Sequence, residues 1–281
     1  MMIYESDWAV DGLNEHSRKI LEEWKREWMR HPMNAEGMDR DSMERMWDES
    51  APTYDCSRYS SIVNNVVAKM DELGLLGGTV MDIGCGTGAY AIPFSPLCSG
   101  ILAVDGSGPM LEVLRRGCGE RHIGNVKTLM CDCRDIPERL RCDTAFSSLC
   151  PAMNSPSMIL SMERLGNRRV YISSSNRGED SMEMEIWREL GSDYSYGGYH
   201  TDYPRRFLES LGRSPSLYRF TQMNRTEVPD IKMRDIYRRL LSRYRPLTEA
   251  ETSAIDRVVS EHSIDGTVTV SREMCVGMLV W

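Results

Sequence analysis

The run Asp82-Ile83-Gly84-Cys85-Gly86-Thr87-Gly88 sets an acid before three glycines at alternating positions. Such a turn is built for holding a ligand. Glycines accept positive φ and carry no Cβ, so backbone can approach a bound molecule and the amides opening the next helix can face it. Two further acids close later apolar runs: Asp105 in Ala103-Val104-Asp105-Gly106-Ser107, and Asp132 in Met130-Cys131-Asp132-Cys133. A second group of residues has types suited to the reaction itself. His200, with Asp202 nearby and Tyr199 beside it, has the make-up of a general base, although a surface histidine satisfies the same pattern. Tyr194, Tyr196 and Tyr203 crowd the same glycine-bearing stretch, where phenol rings either enclose an acceptor and exclude water or pack a loop. Cys150 and Asn154 sit in Leu149-Cys150-Pro151-Ala152-Met153-Asn154; the plain reading of Cys150 is a small buried thiol, with contact to a substrate as the alternative. Cys131-x-Cys133 lacks the second closely spaced pair that zinc sites show, and no metal is expected.

These residues need a scaffold that brings them together. Short apolar runs at 79–83, 101–105, 126–130, 144–147 and 170–173 alternate with helical segments, the pattern of a parallel sheet made by right-handed crossovers. In the helix at 109–116, proline suits the first turn and Met110, Leu111 and Leu114 share one face. Upstream, Leu13, Ile20, Leu21, Trp24 and Trp28 mark an amphipathic prefix, followed by helices at 38–48 and 62–73. Downstream, helices are expected at 181–190, 204–211, 233–244 and 248–263, with strands at 216–220, 267–270 and 274–281. The chain then divides into a helical prefix (1–76), a core (77–224), a helical cap inserted at 225–265, and closing strands (266–281).

The 281 residues carry 42 acids against 34 bases, for a formal charge of -8. That balance opposes the counterion-release binding on which nucleic-acid partners depend. No segment has the roughly 18–20 apolar residues of a membrane span and no basic-then-apolar leader opens the chain, so a cytoplasmic location and no membrane partner are expected. The nine cysteines form an odd set without framework spacing, as reduced thiols do.

The acid and glycines at 82, 84, 86 and 88 resemble the first motif, acidic-x-Gly-x-Gly-x-Gly, of the class I, Rossmann-like S-adenosylmethionine-dependent methyltransferases. The resemblance implies a doubly wound, mostly parallel seven-stranded α/β sheet with N-terminal helices and a helical insertion near the C-terminus. It also implies S-adenosyl-L-methionine as methyl donor and S-adenosyl-L-homocysteine as product. In that family the acid matched by Asp105 binds both ribose hydroxyls, a fork well suited to a carboxylate. The position of Asp132 accepts from the adenine amino group, Met110 packs on the adenine, and Tyr54 matches an aromatic over the donor's carboxylate end. Asp82 orients the turn and the donor's ammonium, and Cys85, Gly106, Cys133 and Ser148 complete the expected donor site. After the fourth strand, Cys150-Pro151-Ala152-Met153 departs from the Asn/Asp-Pro-Pro-Tyr/Phe of amino-methylating enzymes. Together with Tyr203-Pro204-Arg205-Arg206-Phe207-Leu208-Glu209-Ser210-Leu211-Gly212 it resembles a little-characterised branch of small-chain methyltransferases.

The looser dinucleotide fingerprint Gly84-x-Gly86-x-x-Ala89 is also met, but Asp82 would repel a pyrophosphate and Asp132 has no role there. A small-molecule acceptor is the expected partner. A protein or RNA acceptor, suggested by Arg234, Arg238, Arg239, Arg243 and Arg245, and a non-catalytic donor-binding regulator are the alternatives.

Overall fold

The computed structural model describes residues 5–30, 40–54, 60–175, 181–191, 199–242 and 246–281. Five strands alternate with helices as the apolar runs require: β1 (Thr79–Ile83), β2 (Gly100–Asp105), β3 (Val126–Met130), β4 (Cys142–Ser148) and β5 (Gly166–Ser174). They are parallel in the order β3-β2-β1-β4-β5. Beyond β5 the sheet turns antiparallel through β8 (Thr267–Val280), whose outer neighbour is β6 (Ser216–Pro229). A two-residue strand, β7 (Ser263–Ile264), pairs with the start of β8 and brings the sheet to eight strands, one more than the sequence reading.

Alternating residues of each central strand face opposite layers. Val80, Ala103, Phe146, Ile172 and Met278 join one core with α4 (Ser60–Glu72), α5 (Ala91–Phe94) and α6 (Gly108–Glu120). Met81, Val104, Ala145, Tyr171 and Leu279 join the other. That second core is closed by α1 (Glu5–Trp8), α2 (Glu15–Arg30), α7 (Pro156–Leu165) and α9 (Tyr199–Ser210). Trp24 is fully buried there, edge-on to Trp8 at 5.3 Å, so the amphipathic prefix is an integral part of one layer.

Three elements differ from the sequence reading. The helix expected at 204–211 begins at Tyr199, because Thr201 is wholly buried and anchors the chain, its hydroxyl donating to the Ser174 carbonyl at 2.9 Å. Gly277 of β8 makes room for it, since a Cβ there would fall on the Thr201 side chain. The strand expected at 216–220 runs on to Pro229, and the two expected at 267–270 and 274–281 are one continuous strand. The two 14-residue strands β6 and β8 pair along their whole length, from Ser216↔Val280 to Pro229↔Thr267.

The distal half of this hairpin carries a separate core. Met233, Tyr237 and Leu241 of α10 (Asp230–Leu241) meet Ile255, Val258 and Val259 of α11 (Glu249–Glu261). Met182, Ile186 and Trp187 of α8 (Ser181–Glu189) complete the cluster against Val268. α11 starts with a reciprocal capping box between Thr248 and Glu251. The helices of the expected insertion thus span 230–261, and 225–229 belong to β6. No described helix is long and apolar enough to cross a membrane.

Candidate functional site

The sheet changes winding direction between β1 and β4, and there the strand ends open onto a crevice. The glycine turn leaves β1 with φ of +73° at Gly84, +52° at Gly86 and +93° at Gly88. The Gly84 and Cys85 amides donate to the Val104 carbonyl at 2.8 and 3.1 Å, which fastens the turn to β2. A Cβ on Gly84 would lie 2.7 Å from Cys150 Cβ, so glycine is required where the turn meets the segment after β4. Gly88 does not line the cavity; a Cβ there would fall on Leu114 of α6.

Asp105 ties the loops together. Its Oδ2 accepts from the Gly86 amide at 2.8 Å and its Oδ1 from the Ser107 amide at 2.9 Å. Burial raises its pKa, those two amides oppose the rise, and Asp48 reinforces it. Asp82 is 2% exposed, and one of its carboxylate oxygens is buried with no hydrogen-bond partner. Burial, then the charge of Asp105, pushes Asp82 up to about 7, against the pull of the Ala91 amide. Asp132 accepts from the Arg134 amide at 2.8 Å and pairs with the Arg134 guanidinium at 3.3 Å, which also reaches Asp7 at 2.9 Å. Burial works against the Arg134 charge, but these acids hold its pKa above the ordinary value.

One cavity of about 190 Å³ gathers the three strand ends. Of the residues singled out from sequence, Asp82, Gly84, Cys85, Gly86, Asp105 and Gly106 line it. So do Tyr54, Met110, Asp132, Cys133, Ser148 and Cys150. Burial, then Asp105, pushes the Cys150 thiol up to about 12, although the Ala152 and Met153 amides favour its ionised form. It is a neutral thiol against the glycine turn.

The expected acceptor-side residues fare differently. Asn154 accepts a hydrogen bond from the buried Tyr171 hydroxyl, away from the cavity lining. Tyr203 lies under the Arg206 guanidinium, 5.1 Å from its ring centre, with Glu23 and Glu27 of α2 as neighbouring charges. Its place in α9, facing α2, turns it from the cavity. Asp202 pairs with Arg219 at 3.6 Å. Tyr194 and Tyr196 lie outside the described residues, as do the side chains of Tyr199 and His200.

Several lining residues had not been singled out. Glu44 and Trp47 come from α3 (Arg40–Ser50), and Trp47 meets Tyr54 edge-on at 6.1 Å. Ile62 and Val63 of α4 and Met274 of β8 form an apolar wall. Tyr90, beside Ser148, is pushed up to about 12 by burial. The i, i+3 spacing of Glu44 and Trp47 was a readable signal for one helical face; nothing local marks Met274, which reaches the site through the hairpin.

Residues 80–165 match the family model of a methyltransferase domain. Among solved structures, a Bacillus halodurans C-125 protein assigned to the methyltransferases aligns with a TM-score of 0.50 at 16% identity, over 76% of this chain and 96% of that one. Magnesium protoporphyrin IX methyltransferase from Synechocystis PCC 6803, with bound S-adenosylmethionine, aligns over 95% of this chain and 99% of its own at 16% identity, with a TM-score of 0.43. A sequence search of curated proteins finds no match.

The methyltransferase domain matched at 80–165, the doubly wound sheet closed by an antiparallel β8, and the acid-flanked glycine turn support the fold of the class I, Rossmann-like methyltransferases. The activity that this domain supports is methyl transfer from S-adenosylmethionine, the donor of that class. One feature of the cavity fits that donor: the unpartnered buried oxygen of Asp82 complements an ammonium.

Proposed function

We propose that this enzyme methylates a small, uncharged or cationic acceptor with an apolar body. The observation that carries the reading is one cavity with carboxylates at its strand ends and an apolar wall beside them. Asp82 would hold the donor's ammonium through its free oxygen. Each Asp105 oxygen accepts one amide and retains a lone pair, so the pair can still take the two ribose hydroxyls. Met110, Gly106, Cys133 and Asp132 surround the place left for adenine, while Tyr54 and Ser148 border the amino-acid end. The donor supplies an electrophilic methyl on its sulfonium, so the chain's own task is to align a nucleophile and exclude water.

The acceptor side is bounded by Ile62, Val63, Pro151, Ala152 and Met274. Glu44, Asp82, Asp105 and Asp132 give the lining an acidic excess over Arg134, and the lining contains no histidine or lysine among the described residues. A phosphate-bearing acceptor would meet repulsion there. Of the basic run, Arg234 pairs with Asp230 at 3.3 Å and Asp256 at 3.6 Å, and Arg238 with Asp256 at 2.7 Å, which leaves these two less available to RNA; Arg243 and Arg245 lie outside the described residues. The core at 77–224 then serves the donor, and the helical module at 225–265 is tied to the acceptor side through β8, whose Met274 lines the cavity.

Calorimetry tests the donor half. Wild type should bind S-adenosylmethionine, and Asp105→Ala should weaken binding by about 1.5–3 kcal/mol, as for other charged hydrogen bonds. Equal affinity in the variant would refute the ribose assignment. For the acceptor half, methyl-labelled donor and cell extract should deliver label to the small-molecule fraction; label confined to RNA or protein would refute it.

A further inference from the structure

The N-terminal helix α3 reaches the donor cavity, and a side-chain hydrogen bond fastens it there. Ser107 Oγ donates to Asp48 Oδ1 at 2.6 Å, and the same Oγ accepts from the Met110 amide at 3.3 Å as the N-cap of α6. Ser107 is 3% exposed and Asp48 half-buried, so one end of this contact is out of water, where a hydrogen bond to a charged group is worth more than at the surface. The Ser107 amide donates to Asp105 Oδ1, while Asp105 Oδ2 receives the Gly86 amide. An unbroken chain of hydrogen bonds therefore links Asp48, Ser107, Asp105 and Gly86.

Glu44 and Trp47, three positions apart, share the part of α3 that lines the cavity, and Asp48 follows four positions after Glu44 and directly after Trp47. Tyr54 extends the same wall and meets Trp47 edge-on. The wall is thus a stretch of chain distant in sequence from the glycine turn, and Asp48 bonds it to the loop that carries the ribose acid.

We propose that Asp48 is a positioning residue for the donor: through Ser107 it holds the α3 wall over the cavity and fixes the carboxylate plane of Asp105. Asp48 itself touches Ser107 and acts through it. Breaking the link frees the wall to move off the bound donor and lets Asp105 rotate, so its main effect falls on donor release. This inference rests on the donor reading above, and the test separates the two.

Donor release is measured by loading the full-length protein with labelled S-adenosylmethionine and chasing with excess unlabelled donor. Asp48→Ala should raise the release rate about tenfold, and Ser107→Ala should do the same. Asp48→Asn keeps a carbonyl oxygen for the Ser107 hydroxyl and should stay within about threefold of wild type. In hydrogen exchange, donor should protect residues 44–54 in wild type and Asp48→Asn but not in Asp48→Ala. A melting profile checks that each variant is folded, and Ser107→Ala keeps the idea testable if Asp48→Ala is not. If wild type binds no donor, the functional reading fails first. If it binds and both alanine variants release donor at the wild-type rate, or if Asp48→Asn behaves like Asp48→Ala, the positioning role is overturned.

Discussion

Replacing Asp82 by Asn should make the free enzyme more stable above neutral pH and a poorer binder of its donor. Burial and the neighbouring Asp105 raise the Asp82 pKa from 3.8 to about 7. An acid raised in the folded state binds more protons folded than unfolded between those two values, so the native state loses stability as pH climbs from about 4 to 7 and is level above that. Roughly three pH units correspond to about 4 kcal/mol. Asn carries no charge to ionise but leaves a buried amide N–H where the unpartnered oxygen stood, at a cost of about 2 kcal/mol. The two proteins should therefore be nearly equal at pH 5, and the variant ahead by about 2 kcal/mol at pH 8. For a chain of this size that is roughly 4–8 °C in melting temperature. Asp105 shifts in the same direction, is present in both proteins and cancels in the difference. Thermal melts at the two pH values, without donor, measure it. Calorimetry on the same samples should show donor binding weakened by about 1.5–3 kcal/mol, for loss of a charged hydrogen bond. A variant no more stable than wild type at pH 8, or one with full donor affinity, would refute the argument that Asp82 is held at a cost for the sake of the ligand.

Two substitutions probe the scaffold around the site. Gly84→Ala should lose about 2 kcal/mol or more, through its positive φ and the overlap with Cys150; in Gly84→Ala/Cys150→Gly the overlap is gone, and urea unfolding should show a combined loss smaller than the sum by about 1 kcal/mol. Strict additivity would mean that the contact is not what excludes a side chain. Thr248→Ala removes the capping box of α11 and should lower denaturant stability by about 1 kcal/mol, with the increase in hydrogen exchange confined to α10, α11 and the end of the hairpin; exchange rising equally in β1 would contradict a separate core for that module.

The donor half of the molecule was legible because its signals are local. Each of β1 to β5 is a short run bounded by turn residues, and the ends of β1, β2 and β3 lead into Asp82, Asp105 and Asp132 within a residue or two of the expected boundaries. The outer strands were not. Residues 221–229 alternate Thr, Met, Arg and Glu at exposed positions, because β6 is an edge strand leaving the sheet with little apolar surface to bury; its length is set by pairing with β8, a contact that no local pattern records. The same holds for the site. Tyr203 has the residue type of a substrate wall, but its rotation on α9 directs it to α2. Met274 lies on a strand that the sequence divides at its polar residues, and only the hairpin register brings it to the cavity wall. Spacing identified which residues can hold a nucleotide-like ligand; which face of a distant element joins them is decided by packing.

Pro229 and Thr267 stand opposite each other, so everything between them hangs from a closed two-stranded stem. That stem is continuous with the strand that inserts between β5 and β6 and supplies Met274. A change in the length or content of the 230–266 segment can be absorbed at the stem's far end without shifting a residue of the nucleoside-holding loops. The hairpin therefore joins a helical module with an apolar core of its own to the sheet that carries the cavity.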